Sequence, residues 1–215
     1  MSEIKAVIFD IDGTLSEKNS WAVIASALGG THEEDLDIYY ASKEGKITQE
    51  EADGKILEMW KRQGLAKKEN FTKAFDEISL RAEARELVSY LKNKGLIVCL
   101  ITGSMDLYAK IVAEKVGADD WYSNAHLFWG KDGHIENFSY IADQGALKLI
   151  QLKEFCAKNN LQSENCIVIG DSENDYEIFK ATKKGIAIQS FMEDKEIEKL
   201  AWKVVKNLSE IKEII

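Results

Sequence analysis

Two apolar rhythms alternate along this chain. Apolar runs at Ile4, Ala6, Val7 and Ile8, and without a break at 96–101 and 166–169, have the character of strands buried on both faces. Between them, apolar residues recur at helical intervals. Residues 19–79 carry no strand signal. Trp21, Ile24, Ala25 and Leu28 form one stripe there, and Ile47, Ile56, Leu57 and Trp60 contribute to another. Breaks at Gly29-Gly30-Thr31, Gly45 and Gly64 divide this stretch into three or four short helices. Residues 81–94 predict a further helix, stopped by Gly95. After the second apolar run a helix reaches about Val116, and a short strand includes Trp121 and Tyr122. A hairpin turns at Lys131-Asp132-Gly133 between arms at 127–129 and 135–138. A helix over about 144–159 precedes the third run. Helix, strand (185–188), helix, strand (202–205) and a terminal helix complete the chain.

Strands alternating with helices predict an α/β fold, a Rossmann-like parallel sheet with helices on both faces. The helical stretch interrupts that alternation directly after the first strand. It is expected to be a small cap, residues 16–79, inserted into a core of residues 1–15 and 80–215. Ligands of such sheets bind beyond the strand C-termini, near the point where strand order reverses.

Composition narrows the function classes. The chain has 215 residues, 45% hydrophobic and 30% charged, as in ordinary globular domains. A net charge of −9 without a basic stripe disfavours nucleic acid. No apolar run approaches a membrane span, and Met1 leads almost directly into a strand. No membrane anchor or secretory leader is therefore expected, and the cytoplasm is the expected compartment. The odd cysteines Cys99, Cys156 and Cys166 fit a reducing compartment, and His32, His126 and His134 show no ligand spacing. Oligomeric state leaves no signal.

Three strand ends carry polar clusters. Phe9 to Thr14 read FDIDGT, with Asp10 and Asp12 at strand spacing and thus expected on one face. Two carboxylates held that close repel unless a cation joins them or one is protonated. This points to a hard divalent metal, proton transfer, or both. GDSEND (170–175) adds Asp171 and, one helical turn on, Asp175. A set of oxygen-only ligands suits Mg²⁺. Thr102 and Ser104 are expected where a helix begins, with hydroxyls and free N–H groups available to a phosphate. Singly, Asp-Gly is a common turn and Thr-Gly-Ser a common cap. All three at one edge of a parallel sheet are better read as a shared site.

FDIDGT, ITGS (101–104) and GDSEND, in that order around a helical insert, resemble the haloacid dehalogenase superfamily, and more closely its phosphoserine phosphatase-like branch. EGKI at 44–47 and KDG at 131–133 belong to the same similarity. The resemblance implies a Mg²⁺-dependent phosphatase acting on a small phosphomonoester through an aspartyl-phosphate. Asp10 would be the nucleophile and a metal ligand. Asp12 would be the general acid and base, with its backbone carbonyl on the metal. Thr102, flanked by Gly103 and Ser104, would hold the phosphoryl group. Asp171 would ligate the metal with Asp175 behind it, and Asn174 would contact phosphate or substrate. The same residues would also serve a phosphotransferase or mutase, or a phosphate-binding protein without catalysis.

The chain departs from that pattern in three places. Gln144 stands where the branch has a lysine, and Lys148, one turn on, is the candidate replacement, ahead of Lys153. Asn19 stands where phosphoserine-directed members carry a glutamate, so it is the substrate-binding candidate at that position. Ile56 stands where they carry an arginine, with Arg62 as a possible stand-in. Phosphoserine is therefore expected to be a poor substrate, and phosphoserine phosphatase proper the alternative reading. Trp21, Tyr39, Tyr40 and Trp60 are expected to pack the cap, and Trp129 to act as a flap.

Overall fold

The computed structural model describes residues 3–191 and 194–215. Seven strands form one sheet: β1 (Ala6–Phe9), β2 (Ile97–Met105), β3 (Asp120–Trp129), β4 (Ile135–Ser139), β5 (Cys166–Gly170), β6 (Gly185–Ile188) and β7 (Lys203–Val205). Their spatial order is β4-β3-β2-β1-β5-β6-β7, and every neighbouring pair is parallel except β3 with β4. β1 is central, and all four of its residues are buried. Strand order reverses at β1, so the loops after β1, β2 and β5 converge beyond the same edge.

Helices α1 (Ser20–Ala27), α2 (His32–Lys43), α3 (Gln49–Lys61) and α4 (Lys68–Asp76) lie between β1 and α5 (Ala84–Asn93). The later helices are α6 (Asp106–Val116), α7 (Gln144–Lys158), α8 (Tyr176–Thr182) and α9 (Lys195–Leu200). Caps explain several starts: Thr31 accepts from Glu34 N–H at 3.1 Å, and Thr48 with Glu51 forms a capping box. On one sheet face, Leu152, Phe155, Ile178 and Phe179 pack against Ile8, Cys99 and Val168. On the other, Val7, Phe9 and Leu100 join a cluster that runs without a break into Ile24, Trp60 and Phe71 of the inserted helices. Aromatic rings form the seam. Trp60 lies 5.0 Å from Phe138, 5.4 Å from Phe71 and 6.0 Å from a stacked Trp21, while Phe71 meets Trp129 at 5.1 Å. The three cysteines are buried and free.

Four details differ from the periodicity. β1 stops at Phe9, so Asp10 and Asp12 lie in the loop beyond it and not on a strand face. β2 runs on through Thr102, Gly103 and Ser104 to Met105, because the backbone pairs with β3 at Thr102 and again, after a register shift, at Met105. β3 is one strand where two were expected. Its first half pairs with β2 and its second with β4, with no glycine or proline between. The terminal helix is a short 3₁₀ segment, Leu208–Glu213.

Trp60→Ala should destabilise the whole protein by about 3–5 kcal/mol, because the ring fills the seam between the inserted helices and the β3–β4 hairpin. Urea unfolding checks this. A change below about 1 kcal/mol would mean that the seam contributes little.

Candidate active site

The loop after β1 is wound tightly. Asp10 N–H continues the ladder by donating to Ile169 O at 3.0 Å, and the N–H groups of Thr14, Leu15 and Ser16 all turn back on Ile11 O. Gly13 adopts φ +81°, and a Cβ there would lie 2.0 Å from Asp171 Oδ2. Only glycine meets both conditions. Arg81, at the return from the inserted helices, donates to Thr14 O (2.9 Å), Gly13 O (3.1 Å) and Gln189 O (3.2 Å), and its own N–H reaches Leu15 O at 2.8 Å.

Carboxylate oxygens of Asp10, Asp171 and Asp175 all lie within 4.8 Å of one another, and all three residues are buried. Lys148 enters this group from α7. Its Nζ is 3.0 Å from Asp10 Oδ1, 2.7 Å from Asp175 Oδ1 and 2.8 Å from Asn174 Oδ1, with the side chain 2% exposed. Asp175 Oδ2 accepts from Asp171 N–H at 3.2 Å, and Thr14 Oγ1 lies 3.4 Å from Asp171 Oδ1. Three buried carboxyl groups face one ammonium, so when ionised they leave excess negative charge on an all-oxygen donor set. Such a set fits a hard divalent cation.

Burial pushes the Asp171 and Asp175 carboxyls up; the charge of Asp10 adds to this, while Lys148 opposes it. Burial alone would pull Lys148 down, but Asp10 and Asp175 outweigh it and hold the ammonium charged. Asp12 stands outside that trio. Its Oδ2 accepts from Ser20 N–H at 2.9 Å and from the Ser20 hydroxyl, and its Oδ1 is buried without a donor. Burial lifts Asp12 to about 7, against the pull of Ser20. A carboxyl balanced near neutrality can both give and take a proton.

Thr102 and Ser104 are not at a helix start. α6 begins at Asp106, its N-cap Met105 makes no side-chain bond, and Thr102 Oγ1 accepts from Ser104 N–H at 3.2 Å. Ser104 instead hydrogen-bonds the Ser20 hydroxyl, tying β2 to α1. A Cβ on Gly103 would lie 2.0 Å from Gln144 Oε1, so Gln144 packs on that glycine. Gln144 also donates to the Tyr140 hydroxyl at 2.8 Å and accepts from Asn174 Nδ2 at 3.3 Å. Asn19 caps α1, accepting from Ala22 N–H at 3.1 Å. Ile56 is buried, Arg62 is held outside by Glu34 and Gly29 O, and Lys153 is exposed. Trp129 packs against Phe71. Lys43 of α2 pairs with Glu173, closing the inserted helices against the core. Sequence reasoning missed Ser20, Tyr140 and Arg81. Ser20 reads as an ordinary helix start, and Arg81 acts on residues far from it in the chain.

A family model described as haloacid dehalogenase-like hydrolase matches residues 7–180. The chain belongs to that family. Among relatives, the phosphoserine phosphatase of Methanocaldococcus jannaschii is 29% identical over 186 residues, covering 86% of this chain and 84% of its own. The phosphoserine phosphatase of Campylobacter jejuni subsp. doylei is 25% identical, covering 99% and 98%. Two solved phosphoserine phosphatases, one a phospho-aspartyl intermediate analogue and one with substrate bound, superpose with TM-scores of 0.79 at 25% identity over all of both chains. In this haloacid dehalogenase-like hydrolase the ammonium beside Asp10 comes from Lys148, and Gln144 sits at the rim.

Lys148→Met should lower stability at pH 7.5 by about 3–5 kcal/mol, because it strips the cation from buried carboxylates. The loss should shrink at pH 5, where carboxyls raised by burial take up protons and shed the uncompensated charge. Urea unfolding at both pH values measures it. An equal loss at both would assign the effect to the aliphatic stem.

Proposed function

We propose that this protein is a Mg²⁺-dependent phosphatase that hydrolyses a small phosphomonoester in two steps through an aspartyl-phosphate on Asp10. The observation that carries the reading is the buried Lys148 ammonium, 3.0 Å from Asp10 and 2.7 Å from Asp175, beside the carboxylate of Asp171. Asp10, Asp171 and the Asp12 backbone carbonyl would hold Mg²⁺, with Asp175 orienting Lys148 and the Asp171 backbone. A bound Mg²⁺ would neutralise phosphoryl oxygens and so admit an anionic nucleophile. In the first step an Asp10 carboxylate oxygen bonds to phosphorus as the ester P–O bond breaks, and Asp12 delivers its proton to the departing oxygen. In the second, Asp12 takes a proton from water, that water's oxygen bonds to phosphorus, and the Asp10–phosphorus bond breaks. Lys148, Thr102 and the Gly103 and Ser104 backbone would steady the phosphoryl oxygens.

Residues 16–79 are read as the cap, closing over a core of residues 1–15 and 80–215. Lys43–Glu173 and Ser20–Ser104 support that closure. No helix among the described residues is long and apolar enough to cross a membrane. Three buried free thiols suit the cytoplasm, which is the compartment we propose. Asn19 is occupied as a helix cap and Ile56 carries no charge, so phosphoserine should be turned over less well than the best substrate of a metabolite panel.

Wild-type protein with Mg²⁺ should release phosphate from 4-nitrophenyl phosphate, and Asp10→Asn should lower that rate at least about 10³-fold. Persisting activity in the variant would overturn the nucleophile assignment, and transfer to an added alcohol in place of water would reassign the reaction to a phosphotransferase. Mg²⁺ must displace protons from carboxyls that burial has raised, Asp171 above all, so its affinity should rise between pH 6 and pH 8.5. The sign follows from the same shift: stability gained from a raised carboxyl is present at low pH and lost as pH climbs, and the cation replaces the proton. Thermal unfolding with and without Mg²⁺ reads this, and an equal Mg²⁺ effect at both pH values contradicts it.

A further inference from the structure

One oxygen of the Asp12 carboxyl is held twice and the other not at all. Oδ2 accepts from Ser20 N–H at 2.9 Å and from the Ser20 hydroxyl, while Oδ1 is buried and meets no donor. Among the described residues no other group bonds this carboxyl, so Ser20 alone sets its orientation. Ser20 is itself fixed. It is the buried first residue of α1, directly after the Asn19 cap, and its hydroxyl also meets that of Ser104, buried near the end of β2.

The direction of these bonds follows from counting protons. A serine hydroxyl carries one. Ser20 gives its proton to Asp12 Oδ2, so the remaining bond runs from the Ser104 hydroxyl to Ser20 Oγ. Each bond in such a chain polarises the next. With Oδ2 taken up by two donors, the oxygen left to carry a transferable proton is Oδ1.

We propose that Ser20 is the positioning residue for proton transfer by Asp12: it turns the carboxyl so that Oδ1 faces the ester oxygen, and Ser104 holds the Ser20 hydroxyl in its donating rotamer. As the P–O bond breaks, its electron pair stays on the ester oxygen, which takes the proton from Oδ1. Ser20 keeps its own proton and stabilises the carboxylate left on Asp12. This inference rests on the phosphatase reading above and adds a residue to its chemistry.

An acid helps in proportion to the basicity of the group that leaves. 4-Nitrophenolate departs without a proton, whereas the more basic phenolate, of nearly the same shape, gains from one. The readout is kcat/KM for phenyl phosphate against 4-nitrophenyl phosphate with Mg²⁺, which reports formation of the aspartyl-phosphate. Ser20→Ala should lower the value for phenyl phosphate at least about tenfold more than that for 4-nitrophenyl phosphate, and Ser20→Thr, which keeps the hydroxyl, should return the ratio to within about threefold of wild type. Ser104→Ala should shift the ratio the same way by a smaller factor, at least about twofold. A mere structural tie between α1 and β2 would slow both esters equally. Equal slowing by Ser20→Ala, or a shift that Ser20→Thr does not reverse, overturns the proposal; if Ser20→Ala does not fold, an unchanged ratio in Ser104→Ala overturns it. Asp12→Asn separates this role from the reading beneath it. A biased ratio in Asp12→Asn with none in Ser20→Ala removes Ser20 alone. Equal slowing of both esters by Asp12→Asn, or no phosphate release from either ester by wild-type protein, removes the underlying reading and this role with it.

Discussion

A single buried ammonium organises this site. Lys148 joins the carboxylates of Asp10 and Asp175 across the gap between β1 and the segment after β5. Buried charges persist only when paired, so removing Lys148 leaves both carboxylates exposed to the full cost of burial. The helix that delivers Lys148 is positioned by ordinary packing. Leu152 and Phe155, one and two turns further along α7, lie against Ile8 and Val168 of β1 and β5. The apolar seam sets the register of α7, and that register sets where the ammonium falls. Asp171 then adds a carboxyl beyond what Lys148 can balance, which is the physical reason this set suits a divalent cation.

Closure over the site depends on contacts that are polar at the centre and aromatic around it. Ser20 binds Asp12 and Ser104 together, so the first residue of the inserted helices touches both the β1 loop and the second strand end. Arg81 grips the backbone of the β1 loop where the insert returns. The Trp21, Trp60, Phe71 and Phe138 rings extend the main apolar cluster into the insert. Asp10 is left only 3% exposed, which keeps bulk water from its carboxylate and strengthens every charge interaction around it.

Much of this was legible in the sequence, for identifiable reasons. Buried parallel strands announce themselves as apolar runs, and the polar residues that follow them must share an edge, so Asp10, Asp171 and Asp175 could be gathered before any coordinates. Lys148 could be named because the site lacked a cation and one helical turn was within reach. The errors came where backbone pairing outlasts the apolar pattern. Thr102 to Met105 stay in β2 through their main-chain bonds with β3, which no side-chain periodicity records. Asn19 is a substrate-binding candidate by position, and its amide oxygen also caps the helix that follows it. Ser20, Arg81 and Tyr140 act through tertiary contacts between segments far apart in the chain, and nothing local marks them.

The central claim is that Asp10 itself carries the phosphoryl group. The most direct measurement is borohydride reduction of the enzyme during turnover with Mg²⁺ and 4-nitrophenyl phosphate, followed by peptide mass spectrometry. An acyl phosphate on Asp10 is reduced to homoserine, and the account predicts that conversion at residue 10 alone, dependent on both substrate and Mg²⁺. Homoserine at another aspartate, or steady phosphate release with residue 10 unmodified, would contradict it.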